Sequence, residues 1–158
     1  MKYREWQEQV PKAITDDILW RSEIYRKALF AGDLAWFDTR KLIKDRSLVS
    51  LADQLYRATG SISANVAEGY SYASGKNQAR FYEYALGSAR EARDWYFKSR
   101  RTLGDSVSEH RLALLTEIIR QLLAIIPKYR GLHLKEETIQ YEKTPMSILL
   151  QPAPMPED

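Results

Sequence analysis

Gly60 and Gly87 each lie in the middle of a stretch that otherwise reads as a helix, and they narrow what this chain can become more than any other feature. A glycine inside a helix costs about 1 kcal/mol relative to alanine, so two of them ask for a structural return. If the two stretches form a hairpin that turns around residues 70–75, the glycines are equally far from the turn and face each other at one height. Ser61, Ser63, Ala64, Ser88 and Ala89 add small side chains around them. The expectation is a seam where two helices pack almost backbone to backbone. The rival is a small-residue patch left open for a ligand.

Around those glycines the chain reads as four helices. The first runs from about Ser22 to Lys44, with Tyr25, Ala28, Leu29, Ala35, Trp36, Leu42 and Ile43 at helical spacing. Phe30, Ala31, Leu34 and Phe37 widen its apolar surface beyond the stripe of about 100° that a half-buried helix needs. This helix is therefore central, or a second face of it meets another subunit. The second helix spans about Ser47 to Glu68, with Leu48, Leu51, Leu55, Ile62 and Val66 on one stripe and Gly69 placed as a left-handed terminator. The third spans about Lys76 to Leu103 and stops at Gly104. The fourth begins at Ser106, where Ser106 and Glu109 have capping-box spacing, and ends near Gly131. Pro127 is expected to kink its last turn or end it early. No stretch alternates like a strand for long.

The expected fold is all-α: an up-and-down four-helix bundle over residues 20–131. A flexible polar lead-in (1–19) precedes it, and an acidic, Pro-rich, flexible tail (132–158) follows. Ile148-Leu149-Leu150 is the one apolar knot in the tail, suited to dock on a partner or on the protein's own surface.

The segment GSISANVAEGY, followed after a short Ser/Gly/Lys loop by ARFYEYALGSAREARDWY, resembles the four-helix-bundle family of 23S rRNA intervening-sequence proteins. The resemblance covers roughly Trp20 to Arg130. Ser61, Ile62, Asn65, Ala67, Glu68 and Gly69 carry it in the first motif, and Ala85, Gly87 and Ser88 in the second; these positions read as fold-defining rather than ligand-binding. The resemblance implies an up-and-down bundle that assembles as a ring-shaped homopentamer. The family includes accessory proteins of diversity-generating retroelements, which bind nucleic acid and a reverse transcriptase through basic surface. The lead-in and the tail depart from a short family member.

Reactive groups are scarce. With no cysteine there is neither a disulfide framework nor a thiolate metal site. His110 and His133 do not belong to an E-x-x-H metal pattern, and His110 is expected to be a solvated surface residue. No phosphate-binding G-x-x-x-x-G-K-[ST] loop or G-x-G-x-x-G loop is present, and Ser74-Gly75-Lys76-Asn77 reads as a plain turn into a helix. Glu68 is expected to pair with Arg80 or to cap nearby backbone. No catalytic residue, metal or cofactor is expected. The charged N-terminus and the absence of a long apolar run point to a cytoplasmic protein without a membrane partner.

The charge is distributed unevenly. Residues 40–103 hold 12 Lys/Arg against 6 Asp/Glu, whereas residues 132–158 hold 2 Lys against 5 acids. In an up-and-down bundle the C-termini of the first and third helices share an end. Arg40, Lys41, Lys44 and Arg46 would meet Lys98, Arg100 and Arg101 there, with Arg90 and Arg93 further down the flank. Such a patch suits the phosphates of a nucleic acid, RNA above all, and Tyr96 and Phe97 among these cations suit stacking on bases. The bland alternative is that the cations complement the helix dipoles and the aromatics belong to the core. A second, more dispersed basic surface gathers Arg21, Arg26, Tyr70, Tyr72, Lys76, Lys128 and Arg130 at the other end.

Overall fold

The structure, a computed structural model, describes residues 1–131 and 147–157. Two short helices, α1 (Tyr3–Gln9) and α2 (Lys12–Thr15), and a 3-10 turn at Ile18–Arg21 lead into α3 (Glu23–Leu42). A second 3-10 turn at Arg46–Leu48 leads into α4 (Val49–Tyr70), followed by α5 (Gly75–Leu103), α6 (Asp105–Arg130) and the short α7 (Ser147–Leu150). The four long helices α3 to α6 pack in sequence and α6 returns against α3, which closes an up-and-down bundle.

Local chemistry explains the boundaries. The Ser22 hydroxyl accepts from the Tyr25 N–H at 3.3 Å and so caps α3. The Asp45 carboxylate accepts from the Ser47 N–H at 2.9 Å and fixes the turn into α4. Gly104 has φ +90°, which permits a single residue to reverse the chain between α5 and α6. The capping box expected at Ser106 does not form, because α6 already starts at Asp105 after Gly104. Pro127 does not end α6, which continues to Arg130 and stops at Gly131 in the left-handed conformation.

The glycine seam is not what joins α4 to α5. Gly60 and Gly87 are exposed, and a Cβ added to either would meet nothing within 4 Å. Alanines do that work instead: Ala79, Ala85, Ala89 and Ala92 line the buried stripe of α5, and Ala52 and Ala58 line that of α4. Their single methyl groups let the helices approach without the cost of a glycine. The close approach sits at Gly69, where an added Cβ would lie 3.0 Å from both the Phe81 Cβ and the Tyr82 ring. Gly69 is therefore not a left-handed terminator. It is helical and buried, and α4 runs one residue past it.

The lead-in is ordered rather than flexible. Trp6 and Tyr3 on α1 are buried and pack on Phe30, with ring centroids 5.2 and 5.1 Å away. The Trp6 indole donates to the Asp33 carboxylate. This contact answers the wide apolar surface of α3: part of its second face is covered by the chain's own N-terminus. Trp36, Phe37 and Ile43 remain exposed.

Of the tail, residues 132–146 and 158 lie outside the described residues, and with them His133. Residues 147–157 are docked, contrary to the flexible tail expected. Ile148 and Leu149 are half-buried, Ala153 is buried, and the Ala153 N–H donates to the Met1 carbonyl at 2.9 Å.

Candidate nucleic-acid interface

The up-and-down path puts the last turns of α3 and α5 at the same end as the first turn of α6. Lys41 and Arg101 line one cleft of about 380 Å³ there, with Leu103 to Val107 as its floor and Pro154, Met155 and Glu157 as its far wall. Arg40, Lys44, Arg46, Lys98 and Arg101 are exposed, and Lys41 and Arg100 are half-buried. Arg40, Lys44, Arg46, Arg90 and Arg101 make no ion pair among the described residues, so their charge faces solvent; Lys98 is paired with Asp94 on the next turn of α5. Cations in the last turns of α3 and α5 also complement the carbonyl ends of those helices.

Arg90 and Arg93 stand apart. At 1.5 Å per residue Arg90 lies about 16 Å below Arg101 along α5. It shares with Asp94, Phe97 and Arg101 the exposed stripe that helical spacing produces. Arg93 turns toward α6 and donates to the Thr116 hydroxyl at 3.4 Å.

Of the two aromatics expected to stack on bases, one is available. Phe97 is 52% exposed, with the Arg100 guanidinium 4.0 Å from its ring centroid. Lys98 sits 4.2 Å from the Trp95 centroid on the neighbouring stripe, and Arg40 sits 5.6 Å from that of Trp36 on α3. These are cation–π contacts. Tyr96 is not part of it. It is 1% exposed, and its hydroxyl donates to the Asp38 carboxylate at 2.8 Å. Burial first, then the Asp38 charge, raises the Tyr96 hydroxyl well above its usual pKa.

That Asp38 anchors a polar network beneath the basic end. Arg111, fully buried like Asp38, donates to it from Nε at 2.8 Å and from Nη2 at 3.0 Å, a bidentate pair. Arg111 also donates to the Pro154 carbonyl at 2.9 Å and bonds His110 Nδ1 at 2.9 Å. His110 is therefore not a solvated surface residue. Burial and the Arg111 charge push its pKa down to about 4, so it is neutral at pH 7. A second buried cation, Lys27, reaches Glu117 at 3.3 Å and Glu23 at 2.7 Å. Burial works to raise the Glu117 carboxyl, and its bonds to Arg120 and Lys27 outweigh that and hold it below its usual value.

The motif residues sit elsewhere and do structural duty. Asn65 donates to the Ser61 carbonyl at 2.8 Å, and the Ser88 hydroxyl donates to the Tyr84 carbonyl at 3.0 Å. Glu68 is exposed and does not pair with Arg80, whose Nε instead donates to the Tyr84 hydroxyl at 2.7 Å. At the other end of the bundle the dispersed basic surface is partly spent: Arg130 pairs with Glu83, and Arg26 donates to the Trp20 carbonyl.

Neither the Asp38–Arg111–Tyr96 network nor the Lys98–Trp95 contact follows from reading motifs. A signal existed for the first. Asp38 falls on the apolar stripe of α3 between Leu34 and Leu42, and Arg111 falls among the buried positions of α6. A charge at a core position implies a buried partner.

Among the described residues no group of three or more His, Asp or Glu side chains is placed to hold a metal ion, and no helix is long and apolar enough to cross a membrane. Residues 21–126 match the model of a protein family described as 23S rRNA-intervening sequence protein. No curated protein and no solved structure matches the chain.

Proposed function

The chain belongs to the 23S rRNA-intervening sequence protein family, and from that premise we propose that it is a non-enzymatic, oligomeric helical-bundle protein that binds nucleic acid, RNA first, through the end where α3 and α5 finish. The observation that carries this reading is the pairing of uncommitted cations with exposed ring faces. Arg40, Lys44, Arg46 and Arg101 are exposed and without an ion pair among the described residues, Lys41 and Arg101 line a cleft, and Phe97 is exposed beneath Arg100. Phosphates take the cations and unpaired bases take the rings. A homo-oligomer, a pentamer by the family resemblance, would multiply the field of one subunit around a ring.

A gel-shift titration with labelled RNA tests the reading. A retarded band should weaken as salt rises, with a log–log slope of roughly −0.7 per phosphate contacted on a single strand. The triple variant Lys98→Glu, Arg100→Glu, Arg101→Glu should lose the band while keeping its helical circular dichroism. A shift that persists in the triple variant would move binding away from this end.

A protein-interaction adaptor, for example an accessory to a reverse transcriptase, is the second reading. The exposed apolar face of Trp36, Phe37, Ile43, Val49 and Tyr56 on α3 and α4 favours it, since aromatic side chains of this kind anchor protein interfaces. It predicts no RNA shift at any salt and a protein partner lost on Trp36→Ala.

A further inference from the structure

We propose that the segment Met155 to Glu157 is a built-in competitor for the basic end: an acidic strap that a polyanion lifts from Lys41 when it binds. This rests on the reading of that end as a nucleic-acid site. The strap already occupies the cleft with the acceptor chemistry that a nucleic acid would bring. Lys41 Nζ donates to the Glu157 carbonyl, and Pro154, Met155 and Glu157 line the cleft opposite Lys41 and Arg101. The Glu157 side chain is exposed and makes no ion pair among the described residues, and its own carbonyl ties it beside Lys41. A second acid, Asp158, follows Glu157 in the sequence.

Two features make this a strap with a fixed hinge rather than a loose end. The first is its anchor. Ala153 is buried and donates its N–H to Met1, and the Pro154 carbonyl accepts from buried Arg111. Ala153 and Pro154 are thus tied to the bundle, and beyond them the Lys41 bond to Glu157 is the side-chain hydrogen bond that holds the described residues of the segment. The second is its stiffness. Pro152, Pro154 and Pro156 alternate along the segment, which restricts the backbone and removes three N–H donors. Such a segment loses little conformational entropy when it lies down or lifts. Met155 to Glu157 can therefore leave the cleft without unfolding anything beneath them.

Fluorescence anisotropy with a labelled 20-nucleotide single-stranded RNA tests the strap in three chains: the full chain, Glu157→Gln with Asp158→Asn, and a chain ending at Pro154. Both altered chains should bind about 3- to 10-fold more tightly at low salt, and the gain should shrink as salt screens the lost carboxylates. Equal affinity of all three chains overturns the strap and leaves the binding site standing. No binding by any of them overturns the site, and the strap with it. Because the chain has no cysteine, Met155→Cys accepts a single spin label that reports on the strap alone. The label should become more mobile as RNA saturates the protein. A label whose mobility is unchanged at saturation shows that the strap does not lift.

Discussion

Replacing Gly60, Gly87 and Gly69 with alanine, one at a time, separates two ideas of how α4 meets α5. Gly60 and Gly87 are exposed helix-interior positions where an added methyl group meets nothing within 4 Å. Each change to alanine should therefore recover the helix propensity that glycine forfeits, about 1 kcal/mol. For a chain of this size that is a rise of roughly 2–4 °C in melting temperature each. The two sites share no partner, so the double variant should gain about the sum. Gly69 should behave in the opposite way. Its added Cβ would lie 3.0 Å from the Phe81 Cβ and 3.0–3.1 Å from two Tyr82 ring carbons, against 3.4–4 Å for ordinary contact. The Phe81 Cβ is fixed to the backbone of α5, so the helices must part by a few tenths of an ångström. Overpacking of this kind costs about 1–3 kcal/mol, which the propensity gain of ~1 kcal/mol only partly offsets. Thermal and urea unfolding followed by circular dichroism reads all three. A lower melting temperature for Gly60→Ala or Gly87→Ala, or a higher one for Gly69→Ala, would refute the packing argument.

Other perturbations have equally definite signs. Asp38→Asn strands the buried Arg111 charge and should cost about 3–5 kcal/mol in urea unfolding, whereas changing both partners to apolar residues of similar size should cost much less. Trp6→Ala removes the anchor of the lead-in and should cost about 3–5 kcal/mol, with loss of protease protection at the N-terminus. His110 has a folded-state pKa of about 4 against 6.5 for the free residue, so the unfolded chain binds the extra proton first as pH falls. Its contribution to stability is complete above pH 6.5 and is lost between there and pH 4; His110→Gln should flatten that part of a stability–pH curve. Phe97→Ala should weaken RNA binding without lowering its salt slope, because it removes a stacking face and no charge.

The helices, their order and the gathering of cations at one end were legible in the sequence, because each follows from a periodic signal. Apolar spacing places α3 to α6, and the parity of an up-and-down path decides which termini are neighbours. What escaped was set by side-chain direction. Counting outward from a loop places Gly60 and Gly87 at matching heights but says nothing about which way each points, and both point outward. Gly69 suggests a terminator through the conformation glycine permits, whereas its missing side chain is what matters. Tyr96 and Phe97 are adjacent in the chain and differ by about 100° around α5, enough to bury one and expose the other. The ordered lead-in and tail escaped because polar composition was read as disorder, although Tyr3, Trp6 and Ala153 are the residues that enter the core.

The buried network and the basic end are one design rather than two. Asp38 lies about one helical turn before Lys41 and Leu42 on α3, and Tyr96 one turn before Arg100 on α5, so the network sits some 6 Å beneath the cationic termini. Apolar contacts tolerate a slide of one helix past another, because one methyl group can replace its neighbour. A bidentate Arg111–Asp38 pair with a Tyr96 hydroxyl on the same carboxylate does not, since a shift of an ångström or two leaves a buried charge unpaired. The network therefore fixes the relative heights of α3, α5 and α6, and through the Pro154 carbonyl the height of the tail as well. A stability argument alone would favour an apolar cluster at this place. If the basic end binds a nucleic acid as proposed, a surface whose cations must arrive at one level gives the buried charge a reason to be there.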